Sequence, residues 1–183
     1  LDEVSSNNDK NARATCCGKQ WHTKCQNNVQ KSKMPFDLKN RCHECRKPFP
    51  VTNKGQIEQL RKHVDQGKAW AQRIMAQRYR NGDFGLKQSY VMARMLFEKA
   101  VAQGDSNAMY NLALLYRDGK GVEQSDEKAV ELYTMAAERG IVTAMSNLGV
   151  MYIKGQGVDE SFELAREWLT KAANEGHENA IKN

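Results

Sequence analysis

The sequence contains no apolar run that approaches the roughly 20 residues needed to cross a bilayer. Even the apolar stretch at residues 129–137 is interrupted by Glu131 and Thr134. The chain also has no Asn-x-Ser/Thr site, and no cysteine follows Cys45. Its five cysteines are an odd number, whereas a disulfide framework normally uses an even one. We therefore predict a chain without a membrane span, in a reducing compartment that is cytoplasmic or nuclear.

A catalytic constellation is also missing from the sequence. We find no Ser/His/Asp arrangement and no paired carboxylates at a useful spacing, and the predicted repeats are therefore not expected to be an enzyme. The net charge of +6 is concentrated in residues 1–50, which carry ten Lys and Arg against five Asp and Glu. Nucleic-acid binding is one interpretation of this excess, but a solvated basic face is favoured.

Small residues recur at one interval through the second part of the chain. Thirty-six residues separate Ala108 from Ala144 and Ala144 from Ala180. The same interval relates Ala93, Ala129 and Ala165, then Ala100, Ala136 and Ala172, then Gly104, Gly140 and Gly176. A fixed period of this length indicates a repeat protein. The first unit is one residue longer, because Gly82-Asp-Phe-Gly85 replaces Gly119-Lys-Gly121 in its turn.

Each repeat is predicted to form two helices joined by a glycine turn. Leu112, Ala113 and Tyr116 lie at helical spacing and form the apolar stripe of a first helix. After a Gly-x-Gly-Val turn, Ser125-Asp126 or Asp159-Glu160-Ser161 provides N-cap candidates for a second helix. The second stripe consists of Ala129, Leu132, Tyr133, Ala136 and Ala137. One hairpin cannot bury both of its faces, so the units are expected to stack into an α-solenoid.

These motifs resemble the Sel-one-like repeat, a relative of the tetratricopeptide repeat. The resemblance rests on Ala108-x-x-x-Leu112-Ala113-x-x-Tyr116-x-x-Gly119-x-Gly121-Val122 and on Lys128-Ala129-x-x-x-Tyr133-x-x-Ala136-Ala137-x-x-Gly140. It implies an all-α fold, a right-handed α/α solenoid, and a scaffold that binds proteins. The predicted segments are a capping helix at 56–68, repeats at 69–106, 107–142 and 143–178, and the start of a further helix at 179–183.

Two asparagines occupy the same position in successive predicted first helices. Asn111 and Asn147 each lie one residue before a stripe leucine. Two interpretations stay open: the amides hold the backbone of a protein client along the concave face, or they bond a neighbouring helix. Arg73, Arg117 and Lys154 lie on the same helices and would favour an acidic client. These five residues are the predicted client contacts.

The cysteine-containing segment has the spacing of a zinc site. It contains Cys16-Cys17, then His22-x-x-Cys25 and, sixteen residues later, Cys42-x-x-Cys45. Zinc takes four thiolate or imidazole ligands in a tetrahedron, and a two-residue spacer places two of them on one ion. We predict that residues 1–50 bind zinc through Cys16, Cys17, His22, Cys25, Cys42 and Cys45. The alternative is a set of cysteines that bind no metal.

The order of these ligands resembles the later part of a RING finger. Cys17-Gly18 precedes the two pairs, and Arg46 follows the last cysteine, as is usual in a RING. The resemblance implies that the opening ligand pair precedes Leu1. The residues at 1–50 would then be a partial, RING-like zinc-binding module in front of the solenoid.

The resemblance also implies how two zinc ions would be shared. The opening pair would bind one zinc together with His22 and Cys25, and Cys17, Cys42 and Cys45 would bind the other. Lys19 stands where a RING usually has a histidine, so the fourth ligand of the second site stays open. Cys16 is favoured over His43, because His43 lies inside the Cys42-x-x-Cys45 knuckle.

Two functions are compatible with these features. In the first, the solenoid recruits a client and the RING-like module docks a ubiquitin-conjugating enzyme. By resemblance, Arg46 would contact ubiquitin and the conjugating enzyme, and Trp21 would pack at the docking groove. The knuckle lacks the proline that many active RINGs have there. In the second, the zinc module only shields the end of a structural scaffold.

Overall fold

The computed structural model describes residues 52–176, and these residues form seven α-helices and no strand. The helices are α1 (Asn53–Asp65), α2 (Ala69–Asn81), α3 (Tyr90–Val101), α4 (Ser106–Asp118), α5 (Asp126–Ala137), α6 (Val142–Lys154) and α7 (Phe162–Asn174). Across these residues we find no helix capable of spanning a bilayer. The predicted further helix at 179–183 lies outside the described residues.

The chain divides into two compact units after Lys62. Helix α1 crosses this division, and the six later helices belong to the second unit. In α1, the predicted stripe residues Ile57 and Leu60 are buried, and Val64 is half-buried. The capping role of 56–68 stays a prediction.

The six later helices pack as three consecutive pairs. Contacts are most extensive within the pairs α2–α3, α4–α5 and α6–α7, and smaller contacts join α3 to α4 and α5 to α6. Each first helix therefore packs on its own second helix, and the second helices α3 and α5 also pack on the next pair. This arrangement is the predicted α-solenoid. We call the three pairs repeats 1, 2 and 3.

Recurring alanines lie where the helices approach one another. Two sets are at most 2% exposed: Ala93, Ala129 and Ala165, and Ala100, Ala136 and Ala172. A methyl side chain allows two helix backbones to come close, because it fills little space between them. The larger buried side chains, Phe97 in repeat 1 and Tyr133 in repeat 2, occupy equivalent positions in the core.

A serine precedes every second helix as its N-cap. The hydroxyl oxygens of Ser89, Ser125 and Ser161 accept hydrogen bonds from the backbone N–H three residues later, at 3.2 to 3.3 Å. These bonds satisfy one of the N–H groups that lack a partner in the first turn of a helix. Of the predicted N-cap candidates, the structure therefore selects Ser125 and Ser161 over their acidic neighbours.

The second glycine of each Gly-x-Gly turn lies against the preceding repeat. A Cβ added at Gly121 would lie 2.6 Å from the carbonyl carbon of Tyr90, the first residue of α3. At Gly157, an added Cβ would lie 2.7 Å from the Glu127 nitrogen and closer still to the Asp126 carbonyl. The turn of one repeat thus packs on the N-terminus of the previous second helix. The recurring glycine is required for contact between repeats as well as for the turn.

The turn of repeat 1 accommodates its extra residue with a left-handed backbone. Phe84 has a φ of 59°, which is rare for a bulky side chain. The Arg78 guanidinium lies 3.9 Å from the centroid of the Phe84 ring, and Arg78 also pairs with Asp83 at 3.5 Å. These contacts hold the longer turn in place at the surface.

Candidate functional site

The predicted zinc and ubiquitin-transfer residues lie outside the described part of the chain. They are Cys16, Cys17, Trp21, His22, Cys25, Cys42, Cys45 and Arg46. Within residues 52–176, no group of three or more His, Cys, Asp or Glu side chains could hold a metal ion. The candidate site described below is therefore a surface of the repeats.

Asn111 is buried at the junction between repeats 1 and 2. Its Oδ1 accepts a hydrogen bond of 2.7 Å from Nη1 of Arg80, which lies on the first helix of the preceding repeat. Its Nδ2 donates a bond of 2.6 Å to the Asn107 carbonyl. The side chain is only 6% exposed, so its amide joins two neighbouring helices. Of the two interpretations of this residue, the structure supports the bond to a neighbouring helix.

Asn147 has the same register but different surroundings, at the junction between repeats 2 and 3. It is half-buried, and its amide lies beside the hydroxyl of Tyr133. The arginine equivalent to Arg80 is Arg117, and its Nε donates a 2.9 Å bond to Oδ1 of Asp118, its own neighbour on α4. The inter-repeat bond found at the first junction is thus replaced by a different polar cluster at the second.

Tyr133 brings a buried hydroxyl into this second junction. The side chain is 0% exposed, and its oxygen makes no hydrogen bond of standard geometry with other described residues. Burial raises the pKa of the phenol to about 12, because an ionised phenolate would lose its hydration there, while Arg117 and the nearby Asn147 amide oppose this rise. Repeats 1 and 3 have Phe97 and Leu169 at this position, so the hydroxyl is particular to the second repeat.

Arg73 lies away from these clusters. Its Nε pairs with Oδ2 of Asp105 at 3.0 Å, and the two side chains are 7% and 13% exposed. Asp105 also caps α4 by accepting a bond from the Ala108 N–H. The pair therefore ties α2 to the start of the next first helix, and the Arg73 charge is compensated within the protein.

Arg117 and Lys154 are more accessible than Arg73. Burial by itself would lower the pKa of Arg117, but the hydrogen bond and the charge of Asp118 outweigh it, and the pKa is raised. Burial likewise would raise the pKa of Asp118, but Arg117 and Lys120 hold it below its usual value. Arg117 is therefore a half-exposed cation, and Lys154 is an exposed one at the end of α6.

The structure adds a cleft that the sequence reasoning missed. It has a volume of about 430 Å³ and lies between the end of α2, the start of α3 and α4. It is lined by Arg80, Asn81, Gln88, Tyr90, Leu114, Leu115, Asp118 and Lys120. The 37-residue interval between Tyr79 and Tyr116 would have placed Arg80 in register with Arg117. No local pattern indicates the cleft itself, because it is formed by two repeats.

The stacked helix pairs, the serine caps and the packed glycine turns define an α-solenoid repeat protein. The sequence model of the Sel1 repeat matches residues 71–105, 106–141 and 142–177, which are more than half of the chain. The chain belongs to the Sel1 repeat family. A search of curated proteins finds no match.

Solved structures include several that are similar to this chain. One is c5321 of uropathogenic Escherichia coli, a protective antigen displaying an SLR fold, with 25% identity over 84% of this chain and a TM-score of 0.68. A Sel1 repeat protein from Oxalobacter formigenes shows 28% identity over 68% of this chain and a TM-score of 0.65. The chain spans 30% and 51% of these two proteins, respectively.

The likeness extends to a third structure, which bears on the fold alone. Cysteine rich protein B of Helicobacter pylori is 21% identical over 71% of this chain and 92% of its own length, with a TM-score of 0.55. Sel1 repeat solenoids are generally protein-interaction scaffolds.

Proposed function

We propose that the repeats hold a protein client on the surface formed by successive first helices, and that Asn147 and Arg117 are its main contacts. The observation that carries this proposal is the difference between the two junctions. At the first, the Asn111 amide is bonded on both sides within the protein. At the second, the equivalent asparagine is half-buried and lies beside the Tyr133 hydroxyl, and the side-chain bond of Arg117 goes to Asp118.

The chemistry of these two side chains suits a peptide. An asparagine amide offers two donors and an acceptor, which match one peptide unit of an extended backbone. The Arg117 guanidinium has five N–H donors, and its bond to Asp118 engages the Nε donor. The remaining donors can bind a carboxylate or a main-chain carbonyl. Lys154, at the end of the next first helix, extends the same surface with a second cation.

We expect Asn147→Ala to affect client binding and Asn111→Ala to affect the stability of the fold. Asn147→Ala should weaken client binding by about 2- to 12-fold, because one net hydrogen bond contributes about 0.5–1.5 kcal/mol. Asn111→Ala should lower the free energy of unfolding by about 1–3 kcal/mol, since it leaves Arg80 without its acceptor.

The measurement uses peptides selected from a phage library of random short sequences on the full chain. Anisotropy titrations of the selected peptides give binding, and urea unfolding gives stability. Arg117→Ala is a second binding variant. A loss of affinity that merely follows a loss of stability in both asparagine variants would show that both amides are structural, and the proposal would fail.

The second part of the proposal concerns residues 1–50, and it rests on ligand spacing alone. We infer that Cys16, Cys17, His22, Cys25, Cys42 and Cys45 bind zinc in a RING-like module. The module would make the protein an adaptor that presents its client to a ubiquitin-conjugating enzyme, with Arg46 and Trp21 at the contact. The competing function is a zinc-capped scaffold without ligase activity. Autoubiquitination by the full protein, abolished by Arg46→Ala, would favour the adaptor.

Cys42→Ser should release zinc while leaving the repeats helical. We expect this result because the predicted zinc ligands and the repeats lie in separate parts of the chain: no cysteine lies after Cys45, and the repeats have a core of their own. Elemental analysis of the purified full protein measures zinc, and far-UV circular dichroism measures helix content. If the helical signal collapsed together with zinc loss, the division into two modules would be wrong. An unchanged zinc content would exclude Cys42 as a ligand.

A further inference from the structure

The start of α3 exposes three apolar side chains, and two of them occupy positions that are glutamate in α5 and α7, although α7 itself exposes Phe162 and Leu164. Val91, Met92 and Met95 are 51%, 40% and 43% exposed. In repeats 2 and 3, the positions of Val91 and Met95 are both glutamate, as Glu127 and Glu163, and as Glu131 and Glu167. The fold therefore accepts a charged residue at these positions. A single exposed apolar residue is ordinary, but three within one turn of a helix form a patch.

This apolar patch adjoins the cleft between repeats 1 and 2. Tyr90, which precedes Val91, lines the cleft. The opposite wall carries Leu114 and Leu115 of α4, together with the side chains of Asp118 and Lys120. Patch and cleft thus lie next to each other at the start of α3, where the patch covers the exposed side of the helix and the cleft begins at its first residue, Tyr90.

The charges in the cleft favour an anionic ligand. Asp118 is already compensated by two cations, Arg117 at 2.9 Å and Lys120 at 3.0 Å. Arg80 donates from Nε to Asn81 and from Nη1 to Asn111, and these two bonds leave further N–H donors on the guanidinium. The lining therefore contains two cations, Arg80 and Lys120, against the carboxylate of Asp118, and Lys120 is one of the two cations paired with that carboxylate.

The net charge of repeat 1 as a whole also favours an anionic partner. Residues 71–105 carry six Lys and Arg against three Asp and Glu. Residues 106–141 carry four against six, and residues 142–176 carry three against five. Repeat 1 is the basic part of the solenoid, and it is also the repeat with the apolar patch. A partner that complements it has apolar side chains next to acidic ones.

We propose that Val91, Met92 and Met95, with the adjoining cleft, bind an acidic peptide segment of a client: its apolar side chains pack on the patch and a carboxylate enters the cleft beside Arg80 and Lys120. Methionine suits this role because its flexible thioether adapts to varied apolar partners. The inference rests on the proposed scaffold function and adds a second contact surface, on repeat 1. Its charge dependence predicts that binding weakens as salt is added.

The test selects phage-displayed random peptides on the full protein and measures the affinity of the recovered sequences. Peptides that combine apolar residues with Asp or Glu are expected, and their affinity should fall about tenfold or more in Val91→Glu/Met95→Glu. This variant carries the residues that repeats 2 and 3 already have, so the fold should be kept. Lys120→Gln is a second variant outside α3, expected to reduce affinity about threefold or more. Leu164→Glu, an equivalent exposed change on α7, is the control and should have no effect.

Other outcomes overturn the inference. Recovered peptides that are basic, or that bind equally well to Val91→Glu/Met95→Glu, would show that the patch is not the site. If their affinity falls only with Asn147→Ala, the scaffold function stands and this inference fails, whereas recovery of no peptide at all would overturn both. Concentration-dependent dimerisation that the double variant abolishes would identify a second copy of this chain as the occupant, contrary to the proposal.

Discussion

Gly157→Ala should destabilise the repeats far more than Gly85→Ala does. Both glycines have a left-handed backbone, with φ of 69° and 80°, so the conformational penalty of alanine is similar, about 1–2 kcal/mol. At Gly85 an added Cβ meets no heavy atom within 4 Å. At Gly157 it would collide with the backbone at the start of α5, which no side-chain rotation can relieve. We expect a further loss of about 1–3 kcal/mol or more from this overpacking.

Urea unfolding followed by far-UV circular dichroism measures the difference between the two alanine variants. Gly121→Ala should behave like Gly157→Ala, because its Cβ would meet the Tyr90 backbone at 2.6 Å. Equal losses at Gly85 and Gly157 would mean that the turn does not pack against the preceding repeat. The stacking contact described for these turns would then be wrong.

Ala136→Leu is the second change for which we expect a large effect. Ala136 is 0% exposed and lies in the core formed by α4, α5, α6 and α7, where the equivalent residues Ala100 and Ala172 are also 0% exposed. Three additional carbon atoms cannot fit there without displacing a helix, and the expected cost is about 1–3 kcal/mol.

Ala102→Leu provides the matched control, because Ala102 is exposed at the end of α3. The two variants add the same side chain, so they separate overpacking from any effect of leucine itself. Thermal unfolding should show a lower midpoint for Ala136→Leu and little change for Ala102→Leu. Equal midpoints would contradict the assignment of Ala136 to the helix contact.

The two asparagine junctions illustrate how equivalent positions acquire different chemistry. At the first junction, Arg80 of the preceding repeat donates a hydrogen bond to the side chain of Asn111. At the next junction, Asp118 stands in place of Asn81. Arg117 donates from Nε to Asp118 just as Arg80 does to Asn81, and Asp118 also pairs with Lys120. Tyr133 also replaces Phe97 there, so the Asn147 amide lies beside a hydroxyl, whereas the Asn111 amide is bonded to Arg80.

Much of the repeat architecture is determined by the sequence itself. The interval of 36 residues, the alanine positions and the leucine and tyrosine stripes predict two helices per repeat, and the structure confirms the helical, stacked fold. Serine before each second helix and glycine after each first helix are local signals. These signals can be recognised within a single repeat, because helix capping and left-handed turns depend on residues only a few positions apart.

Only the tertiary structure shows which polar side chains already bond to other residues of the protein. Arg73 was predicted to contact a client, but it pairs with Asp105, which lies 32 residues away and is brought to it by stacking. The cleft beside Tyr90 and the buried hydroxyl of Tyr133 have the same origin. The periodicity of the sequence predicts which face of a helix is apolar. The partner of a polar side chain depends instead on which residues, far apart in the chain, are brought close to it and buried with it in the folded protein. For that reason the helices could be predicted from spacing, and the division of Asn111 and Asn147 into a structural and a candidate binding residue could not.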